Sequence, residues 1–315
     1  MKTHKIDNVE LTLAHPMTVT SEWIGQSEPL RQLMACWLTI DKTDLPLIPR
    51  IVGHPGTGKT TLAMTAGKIR SQDVYIMQCT SDTRPEDLLV TPVLSAQGQI
   101  AYHASPLLSA AITGGVAILD EGNRMSEKSW ASLAGLFDNR RTVESIVAGV
   151  VINAHLDFRA AVTMNEDSST FEIPDYIMSR LQPGIEIGFP NRDDELRILQ
   201  YNIPFSSEEV LDHCLDFLQR AHGLDLPYSI RDGITIIRYV LKQRHADPAL
   251  KTDDLFEGAV RQVLGEEALD LESLAAKRQL SGEHIPGMHM GDFFFDADDD
   301  LNPDAQNPDS PKDDR

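Results

Sequence analysis

The octapeptide GHPGTGKT, Gly53 to Thr60, constrains this chain more than any other stretch. It follows the apolar pair Ile51-Val52 and opens the helically patterned run TLAMTAGKI. A complete GxxxxGK[ST] set between a strand and a helix is the context in which a glycine-rich loop wraps an anion. Gly53, Gly56 and Gly58 let the backbone curl until successive N–H groups face one point. The helix N-terminus behind them adds partial positive charge. His54, Pro55 and Thr57 complete the loop, and Lys59, Thr60 and Thr61 begin the helix. Lys59 suits the β- and γ-phosphates, and the Thr60 hydroxyl suits Mg²⁺. The expected ligand is a nucleoside triphosphate.

A second acidic motif limits the chemistry further. ITGGVAILDEGNRM, beginning at Ile112, ends an apolar strand in Asp120-Glu121. Carboxylates at the carboxyl end of a buried parallel strand lie where doubly wound sheets place ligands. Neighbours on a strand point in different directions, so the two acids can divide the work. Asp120 is expected to hold Mg²⁺ through water, and Glu121 to orient and polarise the attacking water. Having both favours hydrolysis over transfer to a small acceptor.

Apolar runs at 50–52, 74–77, 116–119, 160–164 and 185–187 alternate with helical segments at 29–38, 59–69 and 127–137. Strand and helix in alternation imply a parallel sheet covered on both faces. After Pro190 the segments 193–201, 207–222, 231–244 and 252–263 all read as helices, with no strand between them. The expected organisation is an extended arm over 1–20, a nucleotide-binding α/β domain over 21–190 and a helical lid domain over 191–286. Residues 287–315 carry nine acids against two bases and read as an acidic disordered tail.

Lys plus Arg is 28 and Asp plus Glu is 48, a formal charge of −20. A chain this acidic is repelled by phosphate backbones unless it has a local basic patch, and its longest Lys/Arg cluster is a pair such as Arg140-Arg141. Nucleic acid is therefore a disfavoured partner. No run approaches the roughly 18 apolar residues needed to span a bilayer, and the first residues lack a signal-peptide pattern. Three scattered cysteines, Cys36, Cys79 and Cys214, suit a cytoplasmic setting.

Together the two motifs resemble the AAA+ ATPases, in particular the MoxR branch, over residues 22–245. WIGQSEPLRQL, beginning at Trp23, is similar to the segment that lies near the adenine base, which implies that role for Ile24 and Gly25. RPEDLLVTPVLSAQGQIAYHASPLLSAA and RRTVESIVAGVVINAHLDFRAAVTMN resemble the two inserts that normally face the pore of a ring. The resemblance implies an α/β fold, a P-loop AAA+ parallel sheet sandwiched by helices and followed by a small all-helical lid domain. It implies ATP and Mg²⁺ as ligands, Asn165 as the asparagine that positions water beside Glu121, and Arg180 as an arginine finger for the neighbouring subunit's γ-phosphate. Arg231, in PYSIRDGI, matches the lid arginine that leans onto the nucleotide. If Arg180 serves a neighbour, the chain assembles into a ring, for which the resemblance implies a hexamer. The expected role is ATP-driven remodelling of a protein client, with von Willebrand factor A-domain proteins as candidates. The alternatives are a nucleotide-controlled scaffold or switch, and a nucleic-acid motor or loader. Two departures stand out: Leu181 follows Arg180 where the branch has Phe, and GNRM follows the acidic pair where the branch has INRA.

Overall fold

The computed structural model describes residues 2–94, 98–165 and 172–281. Its centre is a five-stranded parallel sheet of β3 (Arg50–Gly53), β4 (Val74–Gln78), β7 (Val116–Asp120), β10 (Arg159–Asn165) and β11 (Gly184–Ile187), in the order β11-β3-β10-β7-β4. These are the five runs the sequence pattern picks out. Alternation decides which side chain serves which face. On β7, Val116 and Ile118 pack with α1 (Ser27–Cys36) and α2 (Lys59–Ile69), whereas Ala117 and Leu119 join the opposite core. On β10, Ala161 joins the α2 face, while Ala160, Val162 and Met164 join the other. With both faces covered, the central strands read as continuous apolar runs.

The second face is covered by α4 (Pro106–Thr113) and α5 (Glu127–Leu133). Both helices start on a serine whose hydroxyl accepts a backbone N–H: Ser105 from Leu108, and Ser126 from Ser129. Between β4 and α4 the chain forms the short helix α3 (Pro85–Leu88) and the hairpin β5 (Val90–Leu94) and β6 (Ile100–Ala104). A further hairpin, β8 (Thr142–Ser145) with β9 (Val150–Asn153), precedes β10. Both inserts noted in the sequence are therefore hairpins rooted on this face.

The N-terminal residues correct an expectation. In place of a plain extended arm over 1–20, β1 (Thr3–Ile6) and β2 (Val9–Thr12) form an antiparallel hairpin, and β2 pairs in parallel with β6. The four strands make a second sheet, β1-β2-β6-β5. Leu11 and Leu13 are buried and anchor it to the core, and Ala14 N–H donates to Ser109 Oγ of α4 at 2.8 Å. The strand that receives β2 lies some ninety residues later, so nothing local to residues 1–20 reveals the pairing.

After the short helix α6 (Asp175–Met178) and β11, every regular element among the described residues is helical. They are α7 (Arg192–Asn202), α8 (Glu208–Gly223), α9 (Ile230–Ala246), α10 (Thr252–Leu264) and α11 (Leu271–Ser281), and α7 to α10 share one apolar core around Leu199, Cys214, Leu218, Ile237 and Ala259. The acidic stretch 287–315 lies outside the described residues, as do residues 282–286. Among the described residues no helix is long and apolar enough to cross a membrane.

Candidate active site

Strand register brings the candidate residues to one edge. Asn165 and Ile187 pair with Gly53, while Asp120 pairs with Gln78 and falls level with Thr163, so all five strands end at the same edge of the sheet within about two residues of one another. The phosphate loop rises from this edge into α2. Gly56 has φ of 83° and Gly58 of 93°, both in the left-handed region that side chains disfavour. Space is short as well. A Cβ on Gly56 would stand 2.3 Å from Ser229 Oγ and 3.3 Å from Arg231 Cβ. One on Gly58 would stand 3.1 Å from the ring of Trp23. Lys59 is buried, and its ammonium donates to the carbonyls of Gly53 and His54, each at 2.7 Å.

The acidic end of β7 is tied into this loop. Thr60 Oγ1 donates to Asp120 Oδ1 at 2.6 Å, and Thr163 Oγ1 donates to the same oxygen at 2.7 Å. Glu121 leaves the strand with φ 57° and ψ 43°, a left-handed conformation that is costly for a side chain bearing a Cβ and clusters at functional sites. Its N–H donates to Thr163 Oγ1 at 3.0 Å. The turn carries the carboxylate toward β10, where Asn165 Nδ2 donates to Glu121 Oε1 at 3.1 Å. Arg124 Nε pairs with the other oxygen, Oε2, at 2.6 Å. Asn123, on the same one-turn helix at 122–124, donates to the Asn165 carbonyl at 2.8 Å. Cys79, which follows β4, stays a neutral thiol. Burial pushes it up to about 12, and the charges of Asp120 and Glu121 add to the effect.

The adenine candidates lie on the other flank of the loop. A Cβ on Gly25 would stand 3.0 Å from Asp194 Cβ at the start of α7. Trp23 N–H donates to Thr65 Oγ1 of α2 at 2.9 Å, its indole N–H donates to the Gln26 carbonyl at 2.7 Å, and Gln26 Nε2 donates to the Phe189 carbonyl at 3.2 Å. The segment holding Ile24 and Gly25 is thereby pinned between α2, the end of β11 and α7.

Two further contacts join the helical region to the loop. Arg231 stands in the first turn of α9, whose N-terminus is closed by Ser229 and Asp232 in a reciprocal cap. The other arginines of α9 stand elsewhere: Arg244 contacts Thr252 and lies 3.8 Å from Glu209, and Arg238 follows Arg231 by about two turns. The Phe189 ring also lies between two histidines, stacked on His54 at 4.9 Å and on His222 at 3.9 Å. Behind His222 sits Glu195, fully buried and raised to about 7 by desolvation, with Gln219 donating to it at 2.6 Å.

Arg180 is the exception. It lines an open cleft of 940 Å³ with residues 43–48 and 136–141 and with Ser179, a set that includes no phosphate-loop residue and neither Asp120 nor Glu121. Its guanidinium donates to the Tyr176 carbonyl and reaches Asp138 Oδ2 at 3.4 Å. Asp138 is held low, at about 2, chiefly by the hydrogen bond from the Arg140 side chain. The geometry therefore gathers Lys59, Thr60, Asp120, Glu121 and Asn165, brings the Cβ of Arg231 against Gly56, and sets Arg180 apart. Leu181, the departure noted beside it, is fully buried in the core that backs the sheet.

Thr163, Arg124, Asn123 and Trp23 were not singled out by sequence reasoning. The last is readable by experiment, because Trp23 is half-buried against Gly58 of the loop, whereas the other tryptophans, Trp37 and Trp130, are fully buried in the cores on either side of the sheet. We predict that nucleotide changes the intrinsic tryptophan emission and that Trp23→Phe abolishes the change. A full response in Trp23→Phe would place the ligand elsewhere.

What the site holds can be judged from its donors. Thr60 Oγ1 and the Asp120 carboxylate are hard oxygen ligands suited to Mg²⁺. Among the described residues no group of three or more His, Cys, Asp or Glu side chains could hold a metal by itself.

Comparison with known proteins bears on the fold that carries these residues. Residues 50–181 match the AAA domain family of the dynein-related subfamily. A protein of Staphylococcus epidermidis is 24% identical over 194 residues, spanning 60% of this chain and 73% of that one. One from Staphylococcus aureus USA300 is 30% identical over 118 residues, spanning 36% of this chain and 45%, under half, of its own length. Among solved structures, the Thermotoga maritima RuvB Holliday junction branch migration motor superposes with a TM-score of 0.52 at 15% identity, covering 82% of this chain and 77% of that one. NtrX from Brucella abortus, solved in complex with ADP, gives 0.54 at 15% identity over 84% of this chain and 64% of its own. The match over residues 50–181 takes in less than half of the chain, and the chain has the P-loop AAA+ fold of these solved structures.

Proposed function

We propose that the protein is an ATPase whose hydrolytic site is shared between adjacent copies of the chain. One observation carries the reading: Asn165 and Glu121 meet at 3.1 Å beside an Asp120 hydrogen-bonded to the phosphate-loop Thr60. In this reading the loop amides and Lys59 bind the triphosphate. Thr60 and Asp120 would hold Mg²⁺, which supplies charge neutralisation at the phosphates. Glu121 orients and polarises the attacking water, and Asn165 fixes both the carboxylate and the water. Arg231 answers the nucleotide from the helical region, which acts as a lid because its α9 begins against Gly56.

The position of Arg180 supports the shared site. It lies in a cleft without phosphate-loop residues, poised by Asp138, where it suits an incoming neighbour and not its own nucleotide. A closed ring follows most simply from such head-to-tail contacts, and six subunits are the number implied by the MoxR resemblance. We assign the ring a MoxR-like remodelling role on a protein client, with a von Willebrand factor A-domain protein as the candidate and the cytoplasm as its setting. The two inserted hairpins present exposed Leu94 and Ile100, and Ile146 and Val151, as apolar tips for such a client. The −20 charge argues against nucleic acid in that role.

Steady-state phosphate release from ATP tests the core of the proposal. Turnover that requires Mg²⁺ is expected. Purified protein that binds ATP yet releases no phosphate at any concentration would refute hydrolysis.

A further inference from the structure

We propose that Thr163 is a positioning residue for hydrolysis, its hydroxyl fixing both the Asp120 carboxylate and the backbone that aims Glu121; this rests on the ATPase reading above. Thr163 is buried on β10, two residues before Asn165. Alternation puts it with Ala161 and Asn165 on the α2 face, and the parallel register that pairs Val162 with Leu119 brings it level with Asp120. The roles in its hydrogen bonds are forced. A carboxylate only accepts and a backbone N–H only donates, so the hydroxyl proton goes to Asp120 Oδ1 at 2.7 Å and its lone pair receives Glu121 N–H at 3.0 Å.

This arrangement does two things. With Thr60 also donating to Oδ1, that oxygen is saturated, and Oδ2 is left as the oxygen without a protein partner among the described residues. The carboxylate is thereby oriented before any cation arrives. Glu121 adopts its left-handed turn where the strand ladder ends, and the Thr163 hydroxyl gives its partly buried N–H an acceptor there. Replacing the hydroxyl by a methyl group releases the carboxylate and the turn together while keeping the side-chain shape.

The test compares Thr163→Val with Thr163→Ser. Four quantities are measured: the thermal midpoint, the affinity for a fluorescent ATP analogue without Mg²⁺, the gain in that affinity on adding Mg²⁺, and kcat. For the valine variant, metal-free binding close to wild type is expected, with most of the Mg²⁺-dependent gain lost and kcat reduced roughly 10- to 100-fold, the size of a hydrogen bond to a charged group. Serine should restore both to within a few-fold. A valine variant with wild-type Mg²⁺ dependence and kcat overturns the proposal. So does a serine variant as impaired as the valine one, since the methyl group and not the hydroxyl would then matter. If the valine chain does not fold, Thr163→Ala carries the same comparison. A wild-type protein that releases no phosphate would refute the ATPase reading alone, because the Mg²⁺-dependent binding still reports on whether Thr163 orients Asp120.

Discussion

Glu121→Gln should bind ATP with near wild-type affinity and hydrolyse it roughly 10²- to 10³-fold more slowly, as expected on losing a general base. The amide keeps the size of the side chain and can still meet Asn165, so the turn at 122–124 and the phosphate loop are left in place. What is lost is the charge that polarises water. The ion pair to Arg124 is lost with it, but both groups are about a third exposed, so that loss has little effect on stability. Rapid-quench measurement of one turnover, alongside equilibrium binding, separates the two effects. A variant that hydrolyses ATP at the wild-type rate would remove Glu121 from the chemistry.

Arg180→Ala should be at least as damaging to turnover, by roughly 10³-fold, the scale at which an arginine finger acts on phosphoryl transfer. Among the described residues the guanidinium bonds to Asp138 and the Tyr176 carbonyl, so truncation should cost little stability. Nucleotide affinity of the isolated chain should be unchanged, because Arg180 does not line the chain's own nucleotide site. Steady-state turnover set against ATP affinity checks this. A variant with weakened binding and unchanged kcat would assign Arg180 to a different task.

Contiguity decides how much of this site is legible in the sequence. Gly53 to Thr60 and Asp120-Glu121 can be read because each motif lies in one run, with strand and helix signals on either side. Asn165 is picked out by the family resemblance, at the end of an apolar strand, and the five strands themselves appear as short, mostly apolar runs. Thr163 carries no such mark. A threonine within RAAVTMN is an ordinary strand residue until register sets it level with Asp120 on the α2 face. Trp23 is hidden for the same reason, since its ring meets Gly58 through the packing of α2. The hairpin at residues 3–12 depends on β6, far along the chain, so an arm was the natural reading of its local sequence. The stack of His54, Phe189 and His222 joins three separate segments and has no sequence signature at all.

A site divided between two chains is most directly tested by mixing two inactive variants. Lys59→Ala lacks phosphate binding but keeps Arg180, whereas Arg180→Ala keeps the nucleotide site but offers nothing to its neighbour. If copies meet head to tail, random mixing in equal amounts makes about one interface in four complete, so turnover should recover to about a quarter of the wild-type rate. The recovered rate should peak near equal proportions and fall toward either pure variant. Co-assembly demonstrated by pull-down of differently tagged chains, with turnover no higher than either variant alone, would contradict the shared site.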